Sequence, residues 1–164
     1  MKVILWATLT ANGNYARSDA QHIPKQEALA DFGMQIQKTK CFIVGRTTFE
    51  GFQASGAKPD PSIRIVVVSS QQLEIPGVTI VPSPEEAIRL LEEESYTSTI
   101  LAGGETLHNT FLNQGLVNEI IFNITPTLED KGYKILLEKG KYEHIELLST
   151  RQLGGGIIQV CYKI

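Results

Sequence analysis

Short runs of β-branched and aliphatic residues recur at positions 3–8, 41–44, 63–68, 78–81, 99–102 and 119–125. Between them, apolar residues return every three or four positions, so the runs predict strands and the intervals predict helices. Ile65-Val66-Val67-Val68 and Ile100-Leu101-Ala102 are apolar without alternation, as in strands covered on both faces of a parallel sheet. Ile23-Pro24 opens a helix that turns Ala28, Leu29, Phe32 and Ile36 to one side. Ser83-Pro84-Glu85-Glu86 combines an N-cap serine, a first-turn proline and a glutamate three positions after the cap; the helix it starts buries Ala87, Ile88, Leu90 and Leu91. A further helix over 105–114 points Leu107, Phe111 and Leu112 inward and ends at Gly115. The last stretch changes character, because 143–151 and 157–163 read as two strands joined by Leu153-Gly154-Gly155-Gly156, an antiparallel hairpin. The expected fold is therefore a three-layer α/β domain over residues 1–164, with a mostly parallel mixed sheet and an antiparallel C-terminal hairpin.

At 164 residues the chain is long enough for one ordinary core. Its 15 Lys and Arg against 18 Asp and Glu leave a net charge of −3, too little basic surface to hold a nucleic acid or an anionic membrane, and neither partner is expected. The apolar start, residues 1–7, is too short for a signal-peptide core, and Cys41 and Cys161 sit in apolar runs without metal or redox spacing. Buried thiols and a cytoplasmic location follow as expectations. His22, His108 and His144 lack ligand spacing, so no metal is expected and the rings are assigned to surface or helix-face packing. Glu92-Glu93-Glu94 reads as the solvated end of a helix. A mixed sheet leaves a strand or hairpin edge exposed, which makes a homodimer the expected assembly.

In open α/β sheets ligands settle where parallel strands hand over to helices. Three such junctions carry suggestive residues. Gly45-Arg46-Thr47-Thr48 follows a buried strand and opens a helix, whose free N–H groups, an arginine and two hydroxyls would suit a phosphate; an ordinary capped helix start is the alternative. Ala102-Gly103-Gly104-Glu105-Thr106-Leu107 offers adjacent glycines that would admit a pyrophosphate to the backbone, or merely make a tight turn. Ser69 and Ser70 end the run 63–68.

Taken in order, the G-R-T-T-F-E, V-V-S-S and A-G-G-x-T-L elements resemble the dihydrofolate-reductase-like superfamily. With Phe111-Leu112, Gly115-Leu116-Val117-Asn118-Glu119-Ile120 and Ile124-Thr125-Pro126, nearly the whole chain is similar to the reductase domain of bacterial riboflavin biosynthesis and its stand-alone relatives. The resemblance implies NADPH as cofactor and a small heterocyclic or ribitylaminopyrimidine-like substrate. By motif, Gly45, Arg46, Thr47 and Thr48 would contact cofactor phosphates and Ser69 and Ser70 the adenosine ribose, while Ala102 with Gly103, Gly104, Glu105, Thr106 and Leu107 would hold the pyrophosphate. Ala7 and the Asn12-Gly13 turn would sit by the nicotinamide. Trp6, Glu27, Phe32, Phe49 and Asn123 are the candidate substrate contacts, although Trp6, Phe32, Phe49 and Phe52 also read as core.

Dihydrofolate reductases place a carboxylate early in the first helix. Here Glu27 and Asp31 lie four residues apart on one helix face; a solvated position is expected for both, and Asp31, beside Phe32, is the candidate catalytic acid. A true dihydrofolate reductase and a non-catalytic nucleotide-binding homologue stand as the alternatives.

Overall fold

In the computed structural model, which describes every residue except 18–21, 23, 24, 57, 72 and 73, the elements run β1 (Lys2–Thr10), α1 (Gln26–Thr39), β2 (Cys41–Gly45), α2 (Arg46–Ala54), β3 (Arg64–Val68), β4 (Thr79–Val81), α3 (Pro84–Glu93), β5 (Ser98–Leu101), α4 (Glu105–Asn113), β6 (Glu119–Thr125), β7 (Glu146–Gly154) and β8 (Ile157–Lys163). The strands form one eight-stranded sheet in the order β4-β3-β2-β5-β1-β6-β8-β7. All pairings through β6 are parallel, and β8 and β7 close the sheet antiparallel. The expected mixed, three-layer arrangement is the observed one.

The unalternating apolar runs have a direct cause: successive side chains enter two different cores. Cys41 and Ile43 of β2 and Leu101 of β5 face one cluster, whereas Phe42, Val44 and Ile100 face the other. Ala87 and Leu91 of α3 and Leu107, Phe111 and Leu112 of α4 close the first; Phe32 of α1 and Phe49 of α2 close the second. Each such large side chain contributes roughly 1.5–3 kcal/mol on leaving water. The capped start of α3 forms as expected, with Ser83 Oγ accepting from the Glu86 amide at 3.2 Å.

Several expectations need correction. Ile23 and Pro24, assigned to the start of α1, lie outside the described residues. The buried stripe of α1 is Ala28, Asp31, Phe32, Gln35 and Thr39, and Leu29 is 45% exposed. This stripe is partly polar because α1 lies across a polar patch of the sheet. Phe52 is 42% exposed at the rim of the second core, with its ring 6.1 Å from that of Phe32. Cys161 is half-buried, unlike Cys41. Of the acidic run, Glu94 is held by Arg64 through two hydrogen bonds of 2.8 and 2.7 Å, and Glu92 pairs with the terminal amine. The hairpin's first strand begins three residues later than expected and extends to Gly154.

The connections position the site. β1 and β2 pass the chain to α1 and α2 on the second-core side, whereas β5, lying between them, passes it to α4 on the opposite side. The carboxyl ends of β2 and β5 therefore flank the switch in chain direction where open α/β sheets leave a ligand crevice. Among the described residues, no helix is long and apolar enough to cross a membrane.

Candidate active site

At this crevice two backbones are sewn together: the Ala102 amide donates to Ile43 O at 2.8 Å and the Gly45 amide to Gly103 O at 2.7 Å. Gly45 and Gly104 are the N-caps of α2 and α4, and neither helix has a side-chain cap. Two uncapped helix starts thus lie side by side, presenting N–H groups and the positive ends of two dipoles, a setting made for an anion. The Gly103–Gly104 peptide is cis. A Cβ on Gly104 would stand 2.9 Å from Thr48 Oγ1, and one on Gly103, whose φ is +95°, would meet the His108 ring at 3.1 Å. Both glycines are accordingly required by their neighbours within the chain.

The third junction joins through Arg46, whose Nη1 donates to Gln71 Oε1 at 2.7 Å while lying 3.7 Å from Glu50. The Gln71 amide in turn donates to Ser69 Oγ at 3.1 Å. Glu105 is tied back to Asn109 at 2.8 Å, Thr106 is exposed and Leu107 belongs to the core.

Beneath the glycine turn lies a buried histidine. His108 Nε2 is 3.0 Å from Leu101 O, which can only accept, so this nitrogen carries the hydrogen and Nδ1 accepts from the Tyr15 hydroxyl at 2.6 Å. Burial lowers the imidazole to about 4, against a smaller opposing effect of its bond to Leu101, and the ring is neutral near neutral pH. Burial, aided by the charge of Glu105, holds the Tyr15 hydroxyl far above its ordinary value.

The most heavily hydrogen-bonded group is Asp31. Its Oδ2 accepts from Trp6 Nε1 (2.8 Å), Gln159 Nε2 (2.8 Å) and Asn123 Nδ2 (3.4 Å), and its Oδ1 from Gln35 Nε2 (3.2 Å) and Arg151 Nη2 (2.6 Å). Arg151 Nε also donates to Gln159 Oε1 at 2.7 Å, and Gln159 Nε2 to Asn123 Oδ1 at 2.8 Å. Since arginine only donates and a carboxylate only accepts, both amides have a single possible orientation. Burial alone would raise the carboxyl, but the combined bonds from Trp6, Gln159, Gln35 and Asn123 hold it below its ordinary value. The expected solvated position is thus wrong for Asp31, which is 0% exposed. Donors on β1, β6, β7 and β8 supply what water would otherwise provide. Glu27 is half-buried, its carboxylate lying against the hairpin turn at Gly155.

Of the remaining candidates, Ala7, Phe32 and Phe49 are buried in the two cores, and the indole of Trp6 stacks obliquely on Phe32 at 4.9 Å. Asn12 commits its amide to Glu129, donating to its carbonyl and accepting from its N–H, beside Gly13. Arg151, Gln159, Gln35, Tyr15 and His108 were not among the sequence-derived site residues. One signal was available for Gln159: a polar residue that interrupts the apolar run of β8.

The model of the RibD C-terminal domain matches residues 1–159. The chain belongs to the RibD C-terminal domain family. Among its relatives in Bacillus subtilis (strain 168), the uncharacterized protein YwjB is 23% identical over 164 residues, covering 95% of this chain and 94% of that one. The uncharacterized protein YyaP is 27% identical over 77 residues, and the matched part spans 47% of this chain and 41% of that relative's length. Among solved structures, a putative riboflavin biosynthesis protein from Shewanella sp. PV-4 superposes with a TM-score of 0.81 at 19% identity over 99% of this chain and 98% of its own. A pyrimidine reductase-like protein from Corynebacterium diphtheriae gives 0.71 at 12% identity, covering 99% and 91%. These likenesses show the dihydrofolate-reductase-like fold. Membership places the chain in a riboflavin-pathway-like reductase family, as the motif resemblance implied.

In this RibD-type domain the floor of the glycine turn should report on pH. An unfolded chain takes a proton on His108 near 6.5, the folded one only near 4. Folding stability is therefore complete above pH 6.5, declines as pH falls towards 4 by about 3 kcal/mol in total, and has no further contribution from this group below that. Denaturant unfolding at a series of pH values should show this fall in the wild type and a much flatter profile in His108→Gln. Identical profiles would refute the assignment.

Proposed function

We propose that this chain is an NADPH-dependent oxidoreductase, transferring a hydride to a small heterocyclic or ribitylaminopyrimidine-like compound in the cytoplasm, and that it works as a homodimer. The observation that carries the reading is the pair of uncapped helix starts meeting at Gly45 and Gly104, which fits a dinucleotide's phosphates. In this reading Gly45, Thr47, Thr48 and the stretch from Ala102 to Leu107 hold the pyrophosphate. Arg46, reaching towards the segment after β3, takes the 2′-phosphate near Ser69 and Ser70. Ala7, Asn12 and Gly13 border the nicotinamide, which supplies the hydride when bound.

Asp31 remains the candidate catalytic residue. Its depressed pKa keeps it ionised, so it can accept amino and ring N–H groups of a heterocycle but cannot donate the proton that accompanies reduction. Of its five donors Arg151 is the most exposed, and movement of that guanidinium opens Oδ1 to such a substrate. Trp6 and Asn123 orient the carboxylate, Phe32 and Phe49 support it from the core, and Glu27 lines the hairpin side.

The buried Asp31 also favours a second reading, a true dihydrofolate reductase. Following NADPH absorbance with ribitylaminopyrimidines, dihydropterins and dihydrofolate separates the two. Oxidation with a ribitylaminopyrimidine, and absent or slow turnover of dihydrofolate, is the expected outcome. Dihydrofolate turnover near the enzymatic median of about 10 per second, lost in Asp31→Asn, would establish the second reading. NADPH binding without any turnover would identify a nucleotide-binding homologue.

Two substitutions test the cofactor site by titration, independently of activity. Arg46→Ala should cost about 1.5–3 kcal/mol of NADPH affinity and leave NADH binding nearly unchanged; equal losses would move Arg46 to the pyrophosphate. Gly104→Val should lower stability, because its Cβ meets Thr48, and abolish binding, because the side chain would fill the space proposed for the phosphate. Adding Thr48→Ala should recover stability without binding, although Thr48→Ala alone should still bind NADPH; recovery of both in the double variant would reduce Gly104 to a packing requirement.

A further inference from the structure

Away from the crevice, the segment 134–138 is fastened to the outer side of α4 in an unusual way. Asn109 accepts from the Leu136 amide at 2.9 Å and donates to Lys134 O at 3.2 Å; Asn113 donates to Leu136 O at 3.2 Å and receives the Glu138 amide at 2.9 Å. Two side-chain amides one helical turn apart thus imitate a neighbouring strand, engaging residues 134, 136 and 138. The backbone groups of Ile135 and Leu137 must point the other way. Among the described residues they make no hydrogen bond, and Leu136 and Leu137 are 58% and 38% exposed. Lys134 and Glu138 have no ionic partner within the described chain.

We propose that this strap is the homodimer interface, pairing antiparallel with the same strap of a second copy about a two-fold axis through Leu136. The register follows from the chain itself. Centring on Leu136 sets Ile135 opposite the partner's Leu137, and both have outward-pointing N–H and C=O groups, so the two symmetric pairs exchange four hydrogen bonds. Leu136 then meets its own copy at the close, non-hydrogen-bonded position. On that same face Lys134 stands opposite the partner's Glu138, and Glu138 opposite the partner's Lys134, so unpaired charges become two cross-strand pairs. Self-complementarity of this kind is what a two-fold interface demands. The two edges of the sheet are less suited: β4 is only three residues long, and the pairing of β7 with β8 shifts register between Leu147 and Ser149 and again between Gln152 and Gly154, irregularities that blunt an edge.

The interface rests on the homodimer part of the proposed function and not on the reductase part, and sedimentation velocity on the full chain tests it. The wild type should dimerise at micromolar concentration. Lys134→Glu and Glu138→Lys should each weaken the dimer roughly tenfold or more, since two pairs change sign together. The double exchange should restore it, and mixing the two single variants should yield heterodimers. Leu136→Asp, which sets two carboxylates face to face, should be monomeric with an unchanged circular dichroism spectrum. A monomeric wild type, a double exchange that fails to restore association, or variants that all dimerise like the wild type would overturn the proposal, the last pointing to another surface such as β7.

Discussion

A carboxylate deprived of water must be given donors by the protein, and Asp31 receives them from five residues on five different elements. Removing one partner from such a cluster leaves a buried group unpaired, at a cost of several kcal/mol. The cluster therefore does more than decorate α1. Trp6 belongs to the parallel part of the sheet, Asn123 to the last parallel strand, and Gln159 and Arg151 to the antiparallel hairpin; one charge fixes the helix across the boundary between the two parts. The chain needs this because apolar packing is thin there. β7 is exposed along nearly its whole length, so polar contacts take over the task that the two apolar cores perform on the other side.

The same contrast explains what could be read from the amino-acid sequence. Strands with both faces buried announce themselves through unbroken apolar runs, and the cap at Ser83 is a local chemical signal, so the parallel half and its helices were legible. The strand-to-helix junctions at Gly45 and at Gly103-Gly104 were legible as well, because glycine beside an apolar run has few structural meanings; the third expected junction, at Ser69 and Ser70, leads instead from β3 to β4 and not into a helix. Asp31 was not. Its partners lie at separations of four to 128 positions, and an acid on an amphipathic helix is ordinarily at the surface. Leu29 was misassigned for the same reason: the inward stripe was assumed to be apolar, while the sheet beneath it presents Asn123 and Gln159. His108 gave no spacing to recognise, since its partners are a backbone carbonyl on the preceding strand, β5, and a tyrosine from the loop after β1.

Charge and burial also divide labour between the two polar clusters. Around Gly45 and Gly104 the polar groups are backbone amides whose partners within the chain are few, and around Asp31 they are side chains whose partners are complete. The first arrangement consists of helix starts without side-chain caps. The second admits a ligand only by exchange, with Arg151 the donor nearest to solvent.

The histidine under Gly103 has one more consequence, for how such a protein can change over time. Ordinarily a core residue can drift among shapes of similar volume without disturbing a binding loop above it. Here the ring that fills the core is also the surface on which the glycine turn rests, 3.1 Å from where a side chain would begin. Any replacement that repacks the interior at this point lifts or drops the turn, so adaptation of the fold to a hotter or colder setting and adaptation of the crevice to a different ligand would draw on the same position.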